Sequence, residues 1–374
     1  MTKQSRAVAY INLGALEYNV RSIRSHLSAG AGLLGVVKAD AYGHGSIQIS
    51  RKLESLGVDY LGVATIEEGI VLRQGGIHAP ILIMSGIFSW DEIEPVIRYD
   101  LTPVIYDDAL LNRLLTETKN YGKPVRIHLK FDTGMGRLGF LPQDAYEVAQ
   151  VVANAPGIYL EGLMSHFSVS ETRDEYGLSQ IEDFRKVVEV FRSAGLHVPH
   201  KHMGNSGAII NYPEAHFSMV RAGISLYGSH PSRSMEDSLG LRQVMKISAR
   251  IAFCREFPAG SSLSYGRTYT TKRSTRIAYI PVGYSDGYPR SLSNKGPVLI
   301  NGQRCIIVGR VCMDWILADI TGVGPVKSGD EAILLGEDDL EGVRISANEI
   351  AENAGTIPYE ILCKISRRIE RVYV

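Results

Sequence analysis

The sequence predicts an α/β fold, an N-terminal (β/α)8 barrel followed by a mostly β C-terminal domain, and three observations carry that prediction. Eight strand-like apolar runs lie near 33–37, 60–64, 80–84, 102–106, 125–131, 158–164, 200–203 and 218–220. Helical segments such as TIEEGIVLRQGG and PQDAYEVAQVVANA separate most of them, and strands alternating with helices build parallel βαβ units. Eight such units in about 230 residues approach the ~250 typical of a closed barrel. Beyond residue 236 the text changes: MKISARIAFCREF, SLSYGRTYTT and RIAYIPVGY alternate without long helices. A doubly wound open sheet is the competing arrangement for the first part, because strand order is not written in one sequence.

In chain order, Asn12 reads as a helix N-cap, with Leu16, Val20, Ile23 and Leu27 following at helical spacing. The run GLLGVVK then ends on Lys38. Around 229–243 the Ser- and Pro-rich SHPSRSMEDSLG reads as a linker and divides the chain into 1–235 and 236–374. In VLI-NG-QRCIIVG, Asn301-Gly302 between two apolar runs predicts a hairpin. One helix is expected near SANEIAENAG.

Lys+Arg and Asp+Glu both number 40, so neither nucleic acid nor an anionic membrane surface is indicated as a partner. No apolar run approaches the ~20 residues of a bilayer span. The opening MTKQSRAVAYINL lacks an apolar signal core. The four cysteines (254, 305, 312, 363) form no CxxC pair and read as free thiols, so a reducing cytoplasmic location is expected. No His/Cys/carboxylate cluster has metal spacing. There is no GxGxxG near the N-terminus and no P-loop.

Active sites of (β/α)8 barrels sit at the C-terminal strand ends, so each polar residue closing an apolar run is a candidate. Lys38 closes the first. A buried lysine can become a neutral amine able to attack a carbonyl, although a lysine snorkelling out of a strand end fits its position equally. In RIHLKFDTGMGRLGF, Ile127, Leu129 and Phe131 alternate with His128, Lys130 and Asp132, and a glycine-rich loop then presents Arg137, whose fork suits a carboxylate or phenolate. The sixth run ends in MSHFS with His166. The seventh ends in KHMGNSGAII, where His202, Asn205 and Ser206 precede an expected helix start, a natural anion site. The eighth is MVRAGISLYG, with Arg221, Gly223 and Ile224. Phosphate sites in these barrels often follow strands seven and eight. A lysine across the barrel mouth from a phosphate cradle suggests pyridoxal phosphate, held by a Schiff base to the lysine.

At this point the chain resembles the bacterial alanine racemase family, over essentially its whole length. The matching stretches are AYINLGALEYNV, VVKADAYGHG, LKFDTGMGRLGF, MSHFS, HMGNSGA, VRAGISLYG, LSYGRTYTT, PVGYSDGYPR, GRVCMDW and TIPYEIL, in the family's order. The resemblance implies a racemase interconverting L- and D-alanine with pyridoxal 5′-phosphate, supplying D-alanine for peptidoglycan, and a head-to-tail homodimer with shared sites. It implies that Lys38 and Tyr265 are the two bases, Tyr265 coming from the partner subunit. Tyr42, Tyr359, Ser206, Gly223 and Ile224, with Asn205, would bind the cofactor around its phosphate. Arg221 would face the pyridine nitrogen, and His166 would stack on the ring. Arg137 and Met313 would meet the substrate carboxylate. Lys130 matches a position that the family often carries as a carbamylated lysine. Tyr284 would line the entrance and Asp314 sit beside the site. Serine or broad-specificity racemisation is the alternative within the family; a bulky Tyr359 favours alanine. Two departures bear on the gate: the ending KISRRIERVYV differs from the family's usual Arg-Val-Pro-Arg, and Pro358 precedes the gate tyrosine.

Overall fold

Eight short strands are the frame on which the site is built: Gly32–Val36, Tyr60–Val63, Ile81–Ile83, Thr102–Ile105, Val125–Lys130, Ile158–Met164, His200–His202 and Met219–Ala222. The computed structural model describes residues 5–118, 124–235, 238–338 and 342–374. All neighbouring pairs in this sheet are parallel, and sequence order is kept, except that Met219–Ala222 returns to lie beside Gly32–Val36. The seam between the last two strands is held by Ser218 N–H to Lys201 O (3.1 Å) and Arg221 N–H to Gly204 O (2.9 Å). The barrel is therefore almost closed, and the open-sheet alternative falls. Central strands such as YLGV and ILI are buried at every position, as parallel strands covered by helices must be.

The first helix, Leu13–Ser25, starts as expected: Asn12 Oδ1 accepts from Ala15 N–H at 2.8 Å. Its buried face carries Leu16, Val20 and Ile23, and also Asn19. Asn19 donates to Leu226 O (3.0 Å) and Arg242 O (2.7 Å) and accepts from Arg242 N–H (2.7 Å), so one amide side chain ties this helix to the end of the barrel and to the segment leaving it.

The second domain is a largely antiparallel sheet running in the order Phe253–Phe257, Thr275–Ile280, Ile316–Asp319, Gln303–Ile307, Pro297–Ile300, Glu331–Glu337, Met245–Arg250, Ala7–Ile11, Glu370–Tyr373. The expected hairpin is present: Asn301 (φ +50°) and Gly302 (φ +71°) both take the left-handed conformation that a tight two-residue turn demands. Two expectations need correction. Ala7–Ile11 lies in this sheet, antiparallel to 245–249 and parallel to 370–373, not with the barrel to which 1–235 was assigned. Its alternating burial marks a strand with two different faces, unlike the wholly buried barrel strands. A second helix, Pro358–Cys363, also follows the expected Ala347–Ala354; Pro358 occupies its first turn, where the missing N–H costs nothing. Residues 236 and 237, at the expected junction, and 1–4, at the start of 1–235, lie outside the described residues. Among the described residues no helix is long and apolar enough to cross a membrane.

Asn19→Ala should leave the buried carbonyl at 226 and the half-buried one at 242 without this donor and lower stability by about 2–3 kcal/mol, read as a reduced denaturant midpoint at unchanged slope.

Candidate functional site

Lys38 leaves the end of Gly32–Val36 and enters an unusual piece of backbone. Ala39, Asp40, Ala41 and Tyr42 have φ of +52°, +54°, +54° and +52°, one turn of left-handed helix made without glycine. For L-residues each such position costs about 1–2 kcal/mol, so the surroundings must impose it. Glu68 Oε1 accepts from Ala39 N–H and Oε2 from Ala64 N–H, both at 2.7 Å, joining the turn to the neighbouring strand end. Asp40 Oδ1 accepts from Ser46 N–H (2.7 Å), and Arg371 Nε–H reaches Gly43 O (3.1 Å) from the last strand of the chain. Gly43 is required here: its φ is +80°, and a Cβ would lie 2.4 Å from Leu362 O.

The turn delivers Lys38 and Tyr42 to one cavity of about 470 Å³ at the barrel mouth. Lys130, Arg137, His166, Asn205, Ser206, Arg221, Gly223, Ile224 and Tyr359 line the same cavity, so eleven of the residues singled out from the sequence converge. Ser206 Oγ accepts from Gly223 N–H (3.0 Å) and from the Ser225 hydroxyl (3.0 Å). A Cβ on Gly223 would come 2.9 Å from the Tyr42 hydroxyl, so the glycine keeps open the space where Tyr42, Ser206 and the chain at 223 meet. The expected helix-start anion site is not there: Ala208–Asn211 is only four residues long, and Asn205 Oδ1 itself takes the amides of Gly207 and Ala208 at 3.1 Å. His202 belongs to the barrel interior instead.

Arg221, 3% exposed, stands at the floor. One terminal nitrogen donates to His202 Nδ1 and His202 O, both at 3.0 Å. The other donates to Ser165 O (2.9 Å), His166 Nδ1 (2.8 Å) and Met203 O (2.9 Å). Burial pushes its pKa down to about 9, which still leaves it charged at neutral pH. Both histidines must therefore accept at Nδ1 and carry their proton on Nε2; burial and this cation hold their pKa values well below the usual range. His202 Nε2 in turn lies 2.8 Å from His128 Nδ1. His128 thus supports the layer beneath the floor and does not enter the cavity lining.

Burial and then Arg137 lower the Lys38 pKa, and the same two causes bring Lys130 to about 8. Asp132, two residues after Lys130, is engaged with its own loop. Its carboxylate accepts the amides of Gly134, Met135, Gly136 and Arg137 at 2.7–3.0 Å, which builds the loop that presents Arg137. Those amides hold the Asp132 pKa below its ordinary value against its burial. Lys38, Lys130, Arg137 and Arg221 thus face a cavity with no carboxylate among its lining residues. Burial keeps the Tyr42 and Tyr359 phenols protonated, and neither hydroxyl has a protein acceptor among the described residues. Such a chamber is built to receive anions.

Tyr265, Tyr284, Met313 and Asp314 lie outside this cavity, on loops of the second domain. Tyr265 is 72%, Met313 53% and Tyr284 42% exposed. The three loops form one unit: Ser264 Oγ–H donates to Arg310 O (2.8 Å), Tyr284 N–H to Cys312 O (3.0 Å) and Ser285 N–H to Met313 O (3.1 Å). Asp314 pairs with Arg368 at 2.7 Å. Behind them, fully buried Asp286 accepts from Gly283 N–H (3.0 Å) and pairs with Arg6 (2.5 Å). Glu68 and Cys363 were missed. Glu68 reads in sequence only as a helix first-turn acid, and Cys363, which lines the cavity, as one free thiol among four.

Comparison with known proteins places these features. The family model "Alanine racemase, N-terminal domain" matches residues 11–231, and "Alanine racemase, C-terminal domain" matches 244–373. The chain is 42% identical over 369 residues to an alanine racemase of Halothermothrix orenii, covering 98% of this chain and 96% of that one. Among solved structures it is similar to alanine racemase of Clostridium difficile 630 in complex with cycloserine (TM-score 0.91, 36% identity, covering 100% and 96% of the two chains). It is also similar to the Bartonella henselae enzyme with covalently bound pyridoxal phosphate (TM-score 0.89, 28% identity, covering 99% and 100%).

Asp132→Asn should speed hydrogen exchange of the amides at 134–137 by about tenfold or more, the loss of a charged acceptor. Because the folded pKa is depressed, the carboxylate's contribution is complete above the ordinary value of 3.8 and fades as pH falls through the folded value. The gap between wild type and variant should be flat near neutrality and close on acidification.

Proposed function

This chain belongs to the alanine racemase family and interconverts L- and D-alanine with pyridoxal 5′-phosphate, and we propose that Lys38 and Tyr265 of the partner subunit are the two bases that do so. The observation that carries the proposal is the cavity itself: a desolvated lysine amine faces three further cations, two unpartnered phenols and no carboxylate. These residues fit the cofactor. Tyr42, Tyr359, Ser206, Gly223 and Ile224 would hold its phosphate, Lys38 its aldehyde carbon and Arg221 its ring nitrogen, with Asn205 shaping the turn beneath. When bound, pyridoxal phosphate withdraws electrons from the substrate Cα and acidifies its proton.

The chain's own groups do the rest. Racemisation removes a proton from one face of Cα and returns one to the other, so two bases on opposite faces suffice without turning the substrate over. Lys38 Nζ serves one face, where burial and Arg137 favour its neutral form. On the other, a phenol with an ordinary pKa of ~10 needs help to act near neutrality. His166, protonated on Nε2 and backed by Arg221, is the donor that would stabilise the phenolate. Arg221 does not surrender its proton, so facing the ring nitrogen it would leave that nitrogen unprotonated and restrain electron withdrawal and side reactions. Arg137 and the Met313 backbone amide of the partner subunit would meet the substrate carboxylate.

The homodimer is part of this proposal. Each chain holds one base in its cavity and carries the other on an exposed loop that its own cavity does not include. Tyr284 and Asp314 of the partner subunit would border the entrance. We keep the division into 1–235 and 236–374 as two functional halves, with Ala7–Ile11 crossing over, and a cytoplasmic role supplying D-alanine for peptidoglycan. The serine alternative is not favoured: the compared relatives are alanine racemases, and Tyr359 occupies the cavity wall.

Lys130 is proposed to be carbamylated. A carbamate there would place a negative charge beside Arg137 and relieve the cation cluster that depresses the lysine.

A chiral assay should show L-alanine converted to D-alanine. Lys38→Ala should lose both turnover and the bound-cofactor absorbance; Tyr265→Phe should keep the absorbance and slow conversion of L-alanine by about 10²-fold or more. Each variant alone is inactive under this reading, yet mixing them should restore about a quarter of wild-type activity, since half of the dimers are hybrids with one intact site. No recovery after proven subunit exchange counts against shared sites. Labelling with 13C-bicarbonate should give a carbamate signal that rises through about pH 8, as the Lys130 amine loses its proton, and that Lys130→Met lacks.

A further inference from the structure

His44, in the stretch VVKADAYGHG, has no role in the sequence reading or in the cavity. It is fully buried, and it is not in the cavity lining. Its Nδ1 lies 3.0 Å from Ala41 O and 2.9 Å from Tyr42 O. Two carbonyl acceptors fix the tautomer: the proton is on Nδ1, and Nε2 is a bare lone pair without a partner. Burial takes its pKa down to about 4, so the ring is neutral at physiological pH.

The two carbonyls belong to the left-handed turn. Ala39 O, Asp40 O and Ala41 O each have a backbone donor within the loop, Gly43 N–H (3.0 Å), Gly45 N–H (2.9 Å) and His44 N–H (3.1 Å). No backbone N–H reaches Tyr42 O among the described residues, and His44 Nδ1 is its donor. The ring also completes a stack. His44 lies on Tyr227 (centroids 4.5 Å apart, 31° between planes), and Tyr227 lies on Tyr42 (4.9 Å, 36°). The Tyr227 hydroxyl donates to Val36 O at 2.8 Å, two residues before Lys38. From outside, Tyr373 Oη donates to His44 O at 3.2 Å. These contacts of His44 bear on the backbone between Val36 and Gly45.

We propose that His44 is the positioning residue of this turn: its Nδ1–H supplies the donor that the Tyr42 carbonyl otherwise lacks, shares the Ala41 carbonyl with the His44 N–H, and so holds the left-handed backbone that aims Lys38 and Tyr42 into one cavity. The consequence for the cofactor rests on the reading of Lys38 and Tyr42 given above; the backbone role does not.

A packing role and a donor role separate cleanly. His44→Phe keeps a ring for Tyr227 and loses the donor. His44→Asn loses the ring but places an amide N–H at the reach of Nδ1. The holoenzyme variants are compared by the dissociation constant for pyridoxal phosphate and by hydrogen exchange at Gly43 and Gly45. Under the proposal, His44→Phe raises the dissociation constant about tenfold, the loss of a buried hydrogen bond, and speeds exchange at both glycines, while His44→Asn stays within about threefold on both. A wild-type-like His44→Phe, or an Asn variant as impaired as Phe, overturns it. Tyr42→Phe is the control for the underlying reading. If it leaves cofactor affinity unchanged while His44→Phe still speeds exchange, the turn is clamped as proposed and the phosphate assignment of Tyr42 is wrong. If Tyr42→Phe weakens binding and His44→Phe changes neither measure, the clamp is wrong. Wild-type protein with 15N-labelled histidine gives an arm that needs no variant to fold: His44 should be the neutral Nδ1-protonated tautomer above about pH 6, and an Nε2-protonated ring overturns the proposal.

Discussion

A single buried guanidinium governs the interior of this barrel. An ion removed from water must find partners for its donors or destabilise the fold by several kcal/mol. Arg221 finds them in three backbone carbonyls and two histidine nitrogens. That solution propagates. A histidine that accepts from a permanent cation is neutral with its tautomer fixed, so His166 is left with Nε2–H, and His202 passes the same polarity to His128. The layer that would hold branched aliphatics in an ordinary barrel is here a set of oriented imidazoles. The result is a floor whose charge and hydrogen-bond direction do not change across the neutral range, which a reaction that moves protons above it requires.

Above the floor, four cations share a cavity without a lining carboxylate. Burial, and after it the charges of Arg137 and Arg221, bring Lys130 down to about 8. The anions that relieve them are those the reaction brings: a phosphate, a substrate carboxylate and the proposed carbamate. Ligands that bind only the folded state stabilise it, so cofactor binding and folding stability are coupled through this cluster. The nearby acids Asp132 and Glu68 are both committed to backbone amides, Asp132 to four of its own loop and Glu68 to Ala39 and Ala64, and neither lines the cavity.

The parts of the site that were legible in the sequence are those set by period and position. Apolar runs ending on Lys38, Lys130, His166 and Arg221 mark barrel strand ends, and these residues do meet. The left-handed turn was not legible. ADAY contains no glycine, and its local preferences oppose positive φ; contacts made by Ser46, by Glu68 on a later helix, by Arg371 more than 320 positions on and by the ring of His44 hold it. His202 shows the opposite limit. It stands at a strand end like the others, but a position in a sequence does not say whether a side chain points into the mouth or down the axis. Ala7–Ile11 was assigned to its neighbours in sequence because pairing with residues 370–373 leaves no local trace. Tyr265 was found only through family resemblance, since within one chain it is an exposed loop tyrosine with no geometric link to the cavity.

The contact between Arg371 and Gly43 spans 328 positions, and that between Tyr373 and His44 spans 329. The strand carrying both also pairs with Ala7–Ile11. During synthesis, at about 5–20 residues per second, the barrel sequence leaves the ribosome long before these last residues exist. A nascent chain can assemble the strands and present Lys38 while the loop behind it is still unfastened. The strand Glu370–Tyr373 acts as a latch that can close only once residues more than 320 positions beyond the loop have been made. Loss of that one strand would thus leave the barrel strands in place and remove a fastening of the loop that carries Lys38.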